Sequence, residues 1–341
     1  MTSARDLAPR LRLTADPAGG WAGPAGGHPG YGGRPLVTAP MRWRTRMLDT
    51  AARHLGWRRC TGDLILFRHP AAFGDGRLRL RLRTRTADHG ERDQFLGESP
   101  RHGEHYQLTV PAGQWHRIEL AVGERALWSE AVVPGTGTWE YAPDGEPASA
   151  GEGGQRTAAP SAPAARPATP EGAELARLLE LTPHVEGGYY RQLYQSAASM
   201  TTFRGPRPYA NTIHYLLDAR SPTGHLHLNT AHITHFLHSG GPIEYVLLSP
   251  DGTLHEVVMG TDTRRGQVPV FTCPGGWWKA SRLPDDVGHG LISEIVAPGF
   301  DFADQSIARP DDVAQAFPQH LERLAPVISG GPETHGTEDS S

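Results

Sequence analysis

Residues 110–120, VPAGQWHRIEL, and residues 273–283, CPGGWWKASRL, are two versions of one phrase. Each is followed by a Ser-Glu and a Pro-Gly, SEAVVPG from Ser129 and SEIVAPG from Ser293. The correspondence runs backwards in order. Pro111 aligns with Pro274 and Gly97 with Gly260, both at an offset of 163. WRRCTGDLILFRH from Trp57 lies over LHLNTAHITHFLH from Leu226 at 169, and LTADPAGGW from Leu13 over LTPHVEGGY from Leu181 at 168. A drifting offset with the order kept marks a whole domain duplicated in tandem.

The 341 residues suit two domains, each able to bury its own core. The 41 Gly and 30 Pro, with short apolar runs between them, predict an all-β protein. RLRLRLRTR from Arg77 alternates Arg with Leu78, Leu80 and Leu82, so one strand face is buried and the Arg face is expected to be solvated rather than an anion-binding surface. IEYVLLSPDGTLHEVVMG from Ile243 is a hairpin around Pro-Asp-Gly. PDGEPASAGEGGQRTAAPSAPAARPATP, residues 143–170, has the composition of a flexible linker. It separates a first domain at 5–142 from a second at 171–328, which opens on a short helix in EGAELARLLE. A disordered tail is expected over 329–341.

No stretch approaches the roughly 20 apolar residues of a membrane span, and MTSARDLAPR lacks a secretory apolar core. Two cysteines, Cys60 and Cys273, are too few for a disulfide framework and are expected as free thiols in a cytoplasmic protein. A net charge of −4 argues against a general nucleic-acid binder. The 33 basic residues include a single lysine, Lys279, in the second copy of the repeated phrase.

LTPHVEGGYYRQLY, RPYANTIHYLLD, a His-rich strand pair ending in Gly240, PGGWWKA and SEIVAPGFDF follow one another in the second domain. In this order they resemble the DUF985 group of the cupin superfamily over residues 172–308, and the first domain resembles it only through the second. The resemblance implies two double-stranded β-helix (jelly-roll) domains in tandem, a bicupin. It does not bring an activity, because that superfamily spans oxygenases, isomerases, decarboxylases, cyclases and storage proteins.

Cupins that bind metal take two His from one strand, a Glu a few residues on, and a His from the Pro-x-Gly turn. The resemblance places Ile233 at the Glu position and Lys279 at the turn His. Neither an isoleucine nor a protonated amine ligates a metal. His225, His227 and Asn229 share one strand face, and if Ile233 keeps the inward orientation that the resemblance implies for the Glu position, alternation turns His235 inward and His232 and His238 outward, to surface or interface. His225, His227 and His235 are a possible three-His site for zinc, iron, nickel or manganese. A metal-free polar pocket, with the same His as hydrogen-bonding or acid–base groups, is favoured.

Lys279 offers a charge for an enolate or carboxylate, or, with its pKa depressed by burial, a base or Schiff-base nucleophile. From the family's opening motif, Glu186, Tyr190 and Arg191 are expected as a carboxylate base, a wall and an anion clamp, with a Glu186–Arg191 ion pair as the structural alternative. His214, where the family has Tyr, and Trp278 complete the expected substrate contacts. In the first domain Arg58 stands opposite His227 and Leu64 opposite Ile233, while His116 keeps the turn His position. That domain is expected to be mainly structural, imitating the second subunit of a dimer.

The expected function is redox-neutral acid–base processing of a small molecule in the second domain, of isomerase, cyclase, dehydratase or lyase type, as in tailoring steps of secondary metabolism. A metal-dependent oxygenase or hydrolase and a non-catalytic small-molecule binder are the alternatives. A small-molecule substrate, no nucleic acid, no membrane, and a monomeric pseudo-dimer or homodimer are the expected partners and state.

Overall fold

The computed structural model describes residues 4–16, 20–27, 30–31, 34–36, 38–70, 79–85, 90–142 and 172–329. The linker expected at 143–170 and nearly all of the tail lie outside the described residues. Each half is a jelly roll of two facing sheets. In the first half, one sheet runs Thr14–Ala15, Trp21–Ala22, Arg42–Asp49, Arg125–Val133, Asp63–Arg68, Gln107–Val110. It faces Glu104–His105, Glu91–Leu96, Arg79–Arg85, His116–Val122, Arg58–Cys60, Trp139–Tyr141. In the second half, Thr182–Pro183, Tyr189–Gln195, Asn211–Asp218, His289–Ala297, His232–Gly240, Val270–Cys273 faces Leu254–Met259, Ile243–Leu248, Trp278–Arg282, Thr223–Asn229, Gln305–Ile307.

The repeat is reproduced at the level of strand register. Glu130 lies opposite Leu66, as Glu294 lies opposite His235. Arg58 lies opposite His116, as His227 lies opposite Lys279. Alternation fills each core from the inward faces, with Leu64, Leu66, Leu80, Leu82 and Ile118 in one half. Tyr215, Leu217, Leu237, Tyr245 and Ile292 do the same in the other. The predicted hairpin forms between Ile243–Leu248 and Leu254–Met259. The predicted helix is short, Gly172–Leu178.

The arginine stripe is neutralised by its neighbours rather than simply solvated. Arg83 meets Asp93 at 2.9 Å and Glu91 at 3.3 Å, while Arg81 meets Asp93 at 3.6 Å and Glu119 at 3.5 Å. Cross-strand pairs of opposite charge support such a face.

The six-stranded sheet of the second half and the first-half sheet that contains Arg125–Val133, in which Gly26–Gly27 is a seventh strand paired with Arg42–Asp49, are buried on both sides. Their outward residues meet in an inter-domain core of Met41, Ile65, Phe67, Ala131 and Val133 with Ala210, Phe236, Ile295 and Ala297. His238, outward-facing as expected, is fully buried there. Its Nδ1 donates to the Arg68 carbonyl (2.6 Å) and its Nε2 accepts from Ser293 (2.7 Å). His69 repeats the pattern in mirror roles, with Nδ1 to the Leu237 carbonyl (3.1 Å) and Nε2 to Ser129 (2.8 Å). His232 is half-buried. Among the described residues no helix is long and apolar enough to cross a membrane.

Candidate functional site

Inward-facing polar side chains of the second half gather between its two sheets. Lys279 and His227 come from the five-stranded sheet, His235 and Glu294 from the six-stranded one, and Glu186 from the loop that enters Tyr189–Gln195. All five are at least nine-tenths buried. Gly187 (φ +90) presses that loop onto Thr223–Asn229 so closely that a Cβ would lie 2.2 Å from the Thr223 carbonyl oxygen. Only glycine accepts both the conformation and the approach.

Lys279 bridges the sheets. Its Nζ donates to His235 Nε2 at 2.9 Å and to Glu294 Oε1 at 3.1 Å. Burial works against its charge, but Glu294 and Glu186 outweigh burial and raise its pKa, so the amine stays protonated. The Schiff-base and free-base roles open in the sequence need a depressed pKa and are not what this environment provides. Burial acts to raise the Glu294 carboxyl, but Lys279 and His235 hold it well below the usual range. His235 is neutral, its pKa lowered to about 4 by burial and then by Lys279. It stacks on Phe271 with ring centroids 4.4 Å apart.

Glu186 is the opposite case. Burial pushes its carboxyl up to about 8, against the pull of Lys279. Gln305 donates to its Oε1, and its Oε2 lies 3.2 Å from His227 Nε2. His227 spends its Nδ1–H on the His225 carbonyl (2.7 Å), which leaves a lone pair on the Nε2 that faces Glu186. Burial, then the Lys279 charge, keeps this imidazole neutral. Two carboxyl groups in one site are thus held in different ionisation states by their surroundings.

His225 Nδ1, Asn229 Oδ1 and Tyr245 Oη are buried without a hydrogen-bond partner among the described residues, and His227 Nε2 has only the Glu186 carboxyl, at 3.2 Å. Buried polar atoms are otherwise nearly always satisfied, so this set is the candidate for contact with a ligand or water. Tyr190 packs against the same core beside His184, ring centroids 4.5 Å apart.

Three expected contacts lie elsewhere, for one reason: neighbours on a strand face opposite ways. Arg191 follows the inward Tyr190, is exposed, and pairs with Glu180 (2.6 Å) and the Leu179 carbonyl (3.2 Å), not with Glu186. His214 precedes the inward Tyr215 and faces the first half, bonded to Ser293 at 3.0 Å and edge-on to Tyr106. Trp278 precedes Lys279 and packs outside with Leu226, Val246 and Leu248, while Trp277 packs against the pocket core. Glu294, Tyr245, Trp277 and Gln305 also lie at this site and are not among the residues expected there. For Glu294 a signal existed, the Ser-Glu that both repeats keep.

The family model described as Cupin superfamily (DUF985) matches residues 173–308. The protein YML079W of Saccharomyces cerevisiae is 36% identical over 147 residues, covering 39% of this chain and 73% of its own. The chain belongs to the cupin superfamily, in its DUF985 family. This cupin is also similar to a solved hypothetical protein from Leishmania major, 28% identical with a TM-score of 0.46, over 47% of this chain and all of that one. Oxalate decarboxylase from Bacillus subtilis aligns over 93% of this chain and 81% of its own at 13% identity, TM-score 0.45.

Many cupins hold a divalent metal between their sheets, and the residues here do not fit one. The Lys279 ammonium already occupies the donors of His235 and Glu294, and a second cation at that spot would meet it in a buried setting. The three His do not converge as a set, and among the described residues no group of three or more His, Cys, Asp or Glu could hold a metal ion. The lysine supplies the positive charge of this pocket.

Proposed function

We propose that the second half of this cupin processes a small organic molecule by redox-neutral proton transfer, in the manner of an isomerase, cyclase, dehydratase or lyase. What carries the proposal is the split between Glu186, pushed up to about 8, and Glu294, held ionised by Lys279. A group that changes protonation near neutral pH is suited to general acid–base work. In an isomerisation, ionised Glu186 takes a proton from carbon, and the electron pair moves onto a carbonyl oxygen. The Lys279 ammonium, fixed between His235 and Glu294, stabilises that oxygen. Glu186 then returns the proton at another carbon, with no net change in charge or oxidation state. Asn229 Oδ1 accepts a hydrogen bond that orients the substrate, and His227 Nε2 holds Glu186 in place.

The first half serves this site as a permanently attached second subunit, covering the outward face of the six-stranded sheet. A tailoring step in secondary metabolism is a role that such a diverged, duplicated cupin fits.

The test is proton exchange in D2O, followed by NMR over a panel of enolisable small carbonyl compounds and acids. Exchange with wild type that is lost in Glu186→Gln supports the proposal. A compound that binds with no exchange in either protein overturns it in favour of a non-catalytic binder.

A further inference from the structure

We propose that the first half carries a second binding site, for a small carboxylate, built around Arg58 and Arg46 between its two sheets. The proposal concerns residues outside the second-half pocket and stands independently of the proton transfer assigned there.

Arg58 is 0% exposed and Arg46 1%. Both converge on Glu130, the register counterpart of Glu294. Arg58 Nη2 donates to Glu130 Oε2 at 2.7 Å, and Arg46 Nη1 to Oε1 at 3.1 Å. Arg44 reaches the same Oε1 at 3.2 Å. That carboxylate is therefore fully engaged. Yet Arg58 Nε and Nη1 and Arg46 Nε remain buried without a hydrogen-bond partner among the described residues, while Arg46 Nη2 has only the Asp16 carboxylate, at 3.4 Å. A guanidinium cannot shed its charge to escape this, as a lysine or histidine can.

The local charges agree. Three guanidinium groups, Arg44, Arg46 and Arg58, face two carboxylates, Glu130 and Asp16. A buried cation needs a counter-charge and acceptors, and a carboxylate supplies both in the planar geometry that guanidinium matches. Trp139 floors the place, its ring centroid 4.5 Å from Arg58 Cζ, with an indole N–H that is also unpartnered. His116 lies beside it, its Nδ1–H spent on the Gln114 carbonyl (3.2 Å). Arg44 and Asp16, 3.8 Å apart with side chains 29% and 12% exposed, are the members of the cluster nearest to solvent.

The strand positions are those of the second-half site. His116 and Arg58 replace Lys279 and His227 in register. Both halves thus keep polar side chains between their sheets, and in the first Arg58 puts fixed positive charge where the second has His227. This half binds rather than catalyses.

Sodium acetate is the probe, titrated at constant ionic strength with calorimetry and tryptophan fluorescence, since Trp139 lies against Arg58. Wild type is expected to show saturable binding at one site. Arg58→Lys keeps a charge for Glu130 but removes the unpartnered donors, and should weaken binding about tenfold or more. Arg46→Lys makes the same test if Arg58→Lys does not fold. Glu186→Gln should leave the titration as it is. Absence of saturable acetate binding, binding unchanged in the folded arginine variant, or binding lost in Glu186→Gln would each overturn the proposal.

Discussion

Phe67 and Phe236 stack face to face, with ring centroids 4.0 Å apart and planes 5° from parallel. They are the same position of the two repeats, at the offset of 169. A residue that packs on its own counterpart marks the axis of a two-fold arrangement, as in an isologous dimer. His69 and His238, also counterparts, hold the interface on either side of it through reciprocal carbonyl bonds.

These histidines make the assembly acid-sensitive. Burial lowers His69 and His214 to about 3, and His238 also lies well below the ordinary 6.5. The unfolded chain therefore takes up protons first, and stability falls as pH drops from about 6.5 toward about 3. Urea unfolding across that range should show the loss, and His238→Leu should reduce the slope. At neutral pH the same variant should cost about 1–3 kcal/mol, because Arg68 and Ser293 lose their partner.

Lys279→Met leaves Glu294 buried without its cation. A loss of about 3–5 kcal/mol is expected in thermal or denaturant unfolding. Adding Glu294→Leu should recover much of it. Additive losses in the double variant would mean that the two groups are not a coupled pair.

Metal content separates an ammonium pocket from a metal pocket. Protein prepared without chelator or nickel resin should carry well under one divalent ion per chain by elemental analysis, and His235→Ala should not change that value. Stoichiometric metal lost in His235→Ala would reverse the assignment of Lys279.

Glu186 binds its proton up to a pH of about 8 in the folded chain, against an ordinary 4.5. The folded state is the more protonated one across that window. Its contribution is thus complete below about 4.5 and is lost as pH rises through about 8. Glu186→Gln should flatten this part of the stability–pH curve. Infrared spectra should show a protonated carboxyl band at pH 7 that is missing from the variant.

Arg191→Ala should shift stability by no more than about 0.5 kcal/mol and leave ligand binding unchanged, since the side chain is exposed. A large loss of binding would place Arg191 at the pocket after all.

Much of the fold was legible because duplication writes each strand twice and alternation assigns its faces. Two matching phrases and the offsets between them marked the tandem duplication, and the family resemblance, with alternation applied from its Glu position, implied the jelly rolls, the inward His235 and the outward His238. Alternation also forbids Tyr190 and Arg191, or Trp278 and Lys279, from sharing a pocket, so those departures were within reach of the chain itself.

What the linear chain could not state is which distant side chains meet. Glu294 reads as one polar residue in an apolar strand, until sheet stacking sets it against Lys279 and His235 from two other strands. Glu186 reads as an ordinary carboxylate, until a glycine turn presses it against His227 and burial raises its pKa. Arg58 reads as a lost ligand, until Arg46 and Glu130 close around it. Local sequence sets the direction of a side chain. Charge state and partnership depend on burial and on neighbours far along the chain, and only the tertiary structure decides those.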